Sequence, residues 1–209
     1  PVKVLGLSSE VKAIASGFAH SCALSQDGRV RCWGWNVSGQ LGDGTYFNKN
    51  LPTNVMGIGA EVIAISLGFS HSCALSSEGK VYCWGYNQFG QLGDGTWQNR
   101  PLPVELFELS SVKTISLGFN HTCAITSQSE LKCWGDNSFG ELGDNSKTNK
   151  NLPTQVNISS KVVSVSLGWF HTCAIDSSAR LYCWGRNNFG QLGTFLPFSR
   201  KTPAKVRGF

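Results

Sequence analysis

Eight cysteines and four histidines are the residues of this chain best equipped for chemistry. Thiols beside imidazoles raise three options: a zinc site, redox exchange, or nucleophilic catalysis. Spacing separates them. The cysteines form C-x9-C pairs: Cys22/Cys32, Cys73/Cys83, Cys123/Cys133 and Cys173/Cys183. A histidine stands two residues before the first cysteine of each pair, at His20, His71, His121 and His171. That is not the spacing of a structural zinc site. Catalysis needs different groups in different roles. Identical groups at identical positions are read more simply as buried, hydrogen-bonded structural histidines. A ring of histidines about a common axis is the other reading.

The intervening residues favour a hairpin. In the first pair, Gln26-Asp27-Gly28 forms a three-residue loop, with Gly28 supplying φ > 0. Cys22 then lies directly opposite Cys32, with Cα atoms about 4.5–5.5 Å apart. A disulfide tolerates that separation. Four local disulfides are therefore expected, one per hairpin. The alternative is eight buried thiols packing as small hydrophobes. Disulfides would place the chain outside the reducing cytosol, secreted or at the cell surface.

The hairpins recur because the whole sequence repeats. Gly17-Phe18-Ala19-His20-Ser21-Cys22-Ala23-Leu24 returns at Gly68, Gly118 and Gly168, and Cys32-Trp33-Gly34 returns at Cys83, Cys133 and Cys183. Each unit reads as short strands, such as Val62 to Leu67, Ser72 to Leu75 and Lys80 to Trp84, bounded by Gly, Asn, Ser or Pro. No segment shows a sustained 3.6-residue apolar period. Four short strands in a repeat of about 50 residues fit a β-propeller blade. One blade cannot bury both faces of its sheet, so neighbours must stack.

The run Trp84-Gly85-Tyr86-Asn87-Gln88-Phe89-Gly90-Gln91-Leu92-Gly93-Asp94-Gly95, with Gly68-Phe69-Ser70-His71 upstream and Pro103 downstream, resembles the regulator-of-chromosome-condensation repeat family. The likeness covers the chain four times. Blade four departs from it, with Gly193-Thr194-Phe195 in place of Gly-Asp-Gly. The resemblance implies an all-β chain of β-propeller blades. Nuclear members of the family promote nucleotide exchange on a small GTPase. A four-repeat chain with four disulfides suits that task poorly, and the likeness is to secreted, cysteine-bearing members.

The array spans residues 1–209, with repeats at 1–51, 52–102, 103–152 and 153–202, and 203–209 starting a fifth unit. Pro1 to Leu7 and Pro203 to Phe209 are the same element. Relatives usually close with seven blades, so four imply a partial propeller. Either further repeats lie outside this sequence or copies of the chain complete one another head to tail, as a ring or a filament. A compact four-bladed monomer is the third option. No signal peptide is evident, so the sequence is a mature product or a piece of something longer.

Net charge is +5 without any block of like charges, which argues against a nucleic-acid tail. No apolar stretch is long enough to span a membrane. Neither a phosphate-binding loop nor a nucleophile elbow appears, and no enzyme or cofactor is expected. Asp43, Asp94 and Asp144 are read as turn caps rather than calcium ligands. Three sequons start at Asn36, Asn120 and Asn157. Chance gives roughly two in a chain of this composition. Asn157 lies in the stretch expected to be exposed. The places where the repeats differ form a candidate binding rim: Trp35, Tyr86, Tyr46, Phe47, Trp97, Arg100, Arg186, Phe195 and Phe198. Aromatic and arginine side chains dominate binding surfaces. The alternative is loop drift, with aromatics packed between blades.

These readings favour a non-enzymatic extracellular module that binds a protein partner or copies of itself. The alternatives are a lectin stacking rim aromatics on glycans, or a secreted enzyme inhibitor.

Overall fold

A computed structural model describes residues 2–7, 10–195 and 197–206. Pro1, which opens the first repeat, and Arg207 to Phe209, which close the fifth element, lie outside the described residues. So does Leu196. Every regular element among the described residues is a strand, so no described helix is long and apolar enough to cross a membrane.

Sixteen strands form four antiparallel sheets, each in simple sequence order. The first contains β1 (Val11–Ser16), β2 (His20–Ser25), β3 (Val30–Gly34) and β4 (Lys49–Asn54). The second contains β5 (Val62–Leu67), β6 (His71–Ser76), β7 (Val81–Gly85) and β8 (Arg100–Glu105). The third contains β9 (Val112–Leu117), β10 (His121–Thr126), β11 (Leu131–Gly135) and β12 (Lys150–Gln155). The fourth contains β13 (Val162–Leu167), β14 (His171–Asp176), β15 (Leu181–Gly185) and β16 (Arg200–Lys205). The inner strands β1, β5, β9 and β13 follow one another around the axis. The four blades form an open arc, a partial propeller.

The blades are phased differently from the proline-led repeats. Pro52, Pro103, Pro153 and Pro203 each lie inside the fourth strand of a sheet. Pro203 to Lys205 thus belongs to β16 and completes the fourth sheet by pairing with β15. The sequence period alone leaves this phase open, because a repeat can be cut anywhere.

Three cores fill the spaces between blades. Leu24, Leu41, Val62 and Trp84 join the first two sheets. Leu75, Leu92, Val112 and Trp134 join the next two, and Ile125, Leu142, Val162 and Trp184 the last two. Each indole is fully buried. Burying such a side chain favours folding by roughly 1.5–3 kcal/mol.

Within each blade, the second and third strands carry the disulfide. Cys22–Cys32, Cys73–Cys83, Cys123–Cys133 and Cys173–Cys183 are bonded, with Cα atoms 4.1–4.2 Å apart. That is tighter than the spacing assumed from sequence. The narrow pair closing the first hairpin is Ser25 N–H to Arg29 O, at 2.9 Å. Pairs alternate along an antiparallel ladder, so the cysteines three positions away form a non-hydrogen-bonded pair, where strands approach most closely.

The hairpin loop needs a left-handed residue at its third position. Gly28 and Gly79 supply it, both at φ 76°, but Ser129 (φ 65°) and Ala179 (φ 60°) occupy the same slot in the later blades. A Cβ in that region costs roughly 1–2 kcal/mol, partly offset by the entropy glycine loses on folding. Ala179 is exposed, so Ala179→Gly is expected to stabilise the protein by about 0.5–1 kcal/mol, measured as a rise in Tm or denaturant midpoint. An unchanged or lower midpoint would remove the strain argument.

Candidate interaction face

Strand direction decides where the variable loops lie. The β1–β2 turn (17–19) and the β3–β4 loop (35–48) leave from the same end of the first sheet, because His20 pairs with Gly34 and Gly34 with Lys49. The other blades repeat this. All the candidate rim residues therefore lie on one end of the arc.

The joint between blades sits beneath that face. Gln40 carbonyl accepts Ser72 Oγ–H and Trp84 Nε1–H, both at 2.9 Å. Gln91 carbonyl accepts Thr122 and Trp134 at 2.9 and 3.0 Å. Glu141 carbonyl accepts Thr172 and Trp184 at 2.9 and 2.7 Å. Each hydroxyl has one proton and gives it to the carbonyl. The histidine reaching the same hydroxyl must then donate from Nε2: His20 to Ser72 at 2.9 Å, His71 to Thr122 and His121 to Thr172 at 3.0 Å. This places a proton on Nε2, and burial keeps the ring neutral. A Cβ at Gly68 would lie inside the His71 ring, so only glycine fits there. Burial holds His20 at about 4, and His71 and His121 at about 3, with neighbouring histidines adding to the effect on His71.

An asparagine locks each long loop. Asn36 Nδ2–H donates to Asp43 Oδ1 (3.2 Å), Thr45 O (3.0 Å) and Phe47 O (3.1 Å), while its Oδ1 accepts Leu41 N–H at 2.9 Å. Asn87, Asn137 and Asn187 accept from Leu92, Leu142 and Leu192 in the same way. Asp94 caps Thr96 and pairs with Arg100 at 2.8 Å. Burial alone would raise the Asp94 carboxyl, but Thr96 and Arg100 outweigh it and hold it below its ordinary value.

These locks correct several readings of the sequence. Asn36 and Asn120 are buried, at 0% and 7% exposure, and leave no room for a glycan. Asn157 is exposed. Arg100 is half-buried and committed to Asp94, so it braces the loop. The remaining rim residues separate by depth. Tyr46, Phe47, Trp97, Phe195 and Phe198 are exposed, while Trp35, Tyr86 and Arg186 are half-buried nearer the axis. Arg186 lies over the rings of Phe139, Phe170 and Phe189, at 5.1–5.7 Å.

Sequence reading missed the innermost aromatics. Phe18 stacks on Phe69 (4.3 Å between centroids), while Phe69 meets Phe119 (4.2 Å) and Phe119 meets Trp169 (5.5 Å) with tilted rings. They line a cleft of about 400 Å³ at the axis. Phe18 and Trp169 are two-thirds exposed. The one available signal was the change from Phe to Trp in the repeated Gly-Phe slot.

Glu141 is the odd residue of this face. Its position holds glutamine in the other three blades. It is fully buried with Oε1 unpartnered, and burial lifts its carboxyl to about 7.

Two pH effects of opposite sign follow. His20, His71 and His121 protonate near 6.5 in the unfolded chain but only near 3–4 in the fold. Unfolding takes up protons in that window, so stability falls as pH drops below 6.5. Glu141 keeps its proton up to about 7 in the fold and releases it near 4.5 when unfolded. Its contribution is present below 4.5 and is lost as pH rises to 7. Glu141→Gln should therefore raise stability near ~pH 8, on the order of 1–3 kcal/mol, and steepen the acid-side loss. Calorimetric Tm from ~pH 4 to ~pH 8 checks both slopes. A flat acid limb would overturn the buried-histidine account.

In blade four, Thr194 occupies the place of Asp94, and Arg200 Nε, the counterpart of Arg100, is buried without a partner. Thr194→Asp is expected to restore the ion pair and stabilise by about 0.5–1 kcal/mol, read from a denaturant midpoint that reverts in high salt.

Residues 1–209 match the RCC1-like domain family. Over 102 residues the chain is 35% identical to the ultraviolet-B receptor UVR8 of Arabidopsis thaliana, covering 48% of this chain and 23% of the receptor. The crystal structure of yeast RCC1 (Prp20) bound to Kap60 superposes with a TM-score of 0.86 at 26% identity, over 99% of this chain and 51% of that one. Human WBSCR16 gives a TM-score of 0.88 at 24% identity, over 98% of this chain and 55% of that one. The chain thus spans about half the length of these solved structures, and less of the receptor. The repeated motifs, the four-stranded sheets and the match along the whole chain agree: the protein belongs to the RCC1-like domain family.

Proposed function

We propose that this chain is a non-enzymatic protein-interaction module working outside the cell, with the aromatic end of its blades as the binding face. One observation carries the reading. Phe18, Phe47, Trp97, Trp169 and Phe189 are 47–85% exposed, and all belong to the same end of the arc. Monomeric proteins rarely leave such a patch uncovered without a partner. The Asn-Asp locks hold these loops before any partner arrives, which lowers the entropy cost of binding. The Gln40, Gln91 and Glu141 carbonyls and the Asn36, Asn87 and Asn137 side chains beneath the face are engaged in holding blades and loops together. Yeast RCC1, in its complex with Kap60, is a relative that binds a protein.

The extracellular part of the proposal rests on the four disulfides.

The test compares the natural protein with Phe47→Ser/Trp97→Ser/Trp169→Ser. All three positions are exposed, so folding should be retained, as circular dichroism would verify. Cross-linking with quantitative mass spectrometry on extracellular material from the native source should recover a protein that the variant loses by about tenfold or more. Equal recovery by both would refute the face. Binding to a glycan array that the same substitutions abolish, with no protein recovered, would replace this reading by the lectin one.

A further inference from the structure

We infer that the seam between the third and fourth blades takes an extended acidic segment of a protein partner, its carboxylates meeting Arg186, Lys201 and Lys147. The inference rests on the interaction-module reading and names the chemistry of its partner.

Three positions of the repeat line the aromatic end of every seam. The first opens the long loop of the following blade, near the axis. The second is the second residue of that blade's outer strand. The third lies two residues beyond the loop N–H that the preceding blade gives to this outer strand. These bonds are Gly44 N–H to Pro101 O, Gly95 N–H to Asn151 O and Asn145 N–H to Lys201 O, at 2.9–3.0 Å. The first seam carries Tyr86, Pro101 and Tyr46, and the second carries Asp136, Asn151 and Trp97. The third carries Arg186, Lys201 and Lys147, and it alone of the three is cationic at every position. Both of its walls are built by this chain.

The three cations follow one line. The Arg186 guanidinium lies 5.1 Å from the Phe139 ring of blade three and 5.5 Å from that of Phe170. A Cβ on Gly140, the residue after Phe139, would stand 2.9 Å from Lys201 Cβ, so Lys201 faces the seam. Lys147 and Lys201 are exposed and Arg186 is half-buried. Among the described residues, no carboxylate or other acceptor holds any of the three side chains. Stacking on the rings fixes the guanidinium plane and leaves its edge free for a carboxylate.

The charge around the seam favours an acidic guest. The carboxylates at this end of the described arc are turned inward. Asp43, Asp94 and Asp144 have side chains 2–7% exposed, Asp136 is 6% exposed and Glu141 0%. The first three already cancel Lys49, Arg100 and Lys150. The uncancelled cations are those of the seam and Arg200 beside it, whose Nε has no partner. Four cations are fewer than the roughly six to ten phosphate contacts on which strong nucleic-acid binding rests. A short protein segment needs fewer, and its apolar side chains find Phe139, Phe170 and Trp169 alongside.

Selection of short random peptides, displayed and read by sequencing, on the folded natural chain tests this. Peptides with Asp or Glu set among apolar residues should be enriched about tenfold or more over the starting library. The enrichment should vanish on Lys147→Glu/Lys201→Glu and persist on Lys12→Glu/Lys161→Glu, which changes net charge equally at the opposite end. All four positions are exposed, and circular dichroism verifies that both variants fold. A selected peptide followed by fluorescence anisotropy should lose about tenfold in affinity when its Glu residues become Gln, and again about tenfold on the Arg186→Gln chain. A selection without acidic peptides, or equal selection by both double variants, would overturn the inference. So would a single-stranded oligonucleotide that binds through the same lysines more tightly than any selected peptide, which would make the seam a polyanion site. Failure here is separable from failure of the interaction reading. A partner that the cross-linking test recovers equally with the natural chain and with Lys147→Glu/Lys201→Glu removes the seam and leaves the aromatic face standing.

Discussion

At every interface between blades one peptide carbonyl, that of Gln40, Gln91 or Glu141, receives both a hydroxyl and an indole N–H from the following sheet. Both donors are sealed from water, and leaving either unpaired would cost about 1–3 kcal/mol. The hydroxyl can give its proton to that carbonyl only if the histidine beside it donates from Nε2. That in turn demands glycine at positions 17, 68, 118 and 168, because the imidazole fills the space of a side chain. The Gly-x-x-His and Cys-Trp-Gly segments of the repeat thus serve one joint. The tryptophan ring also anchors the apolar core between the sheets, so hydrogen bonding and burial converge on the same residue.

The disulfides do a different task. Each closes a hairpin inside one blade and crosses no interface. A clip of this loop length restricts the unfolded chain by about 3 kcal/mol. It secures the two middle strands of a blade but leaves the stacking of blades to the carbonyl joint and the cores. Reduction and loss of stacking are therefore separable events in this architecture.

Rigidity of the loops follows from similar economy. One asparagine collects the loop carbonyls and the aspartate, and a basic residue, Lys49, Arg100 or Lys150, closes the outside at 2.8–3.7 Å. With the polar atoms of the loop engaged inward, the aromatic side chains project outward. In blade four the aspartate is absent, and Phe195 is 98% exposed.

Much of the fold was legible in the sequence because its determinants are local and repeated. Strand lengths, the hairpin loop, the cysteine register and the need for stacking all follow from segments of about ten residues and a period of about 50. The blade phase was not legible, since Pro52 and its counterparts mark a period and not the edge of a sheet. Nor was the fate of individual polar residues. Asn36 and Asn120 read as sequons, and Arg100 as a rim residue, until burial and the Asp94 contact assigned them to loop structure. The Phe18-Phe69-Phe119-Trp169 stack was hidden for a related reason. Its members are about 50 residues apart in sequence, inside a motif whose repetition looked purely structural. The sequence by itself determined the unit, its strands and its clips, because backbone preference and hairpin register act over a few residues. Only the tertiary structure decided which side chains meet across blades and which remain in water, because those contacts join residues one full repeat apart and depend on the direction in which every loop leaves its sheet.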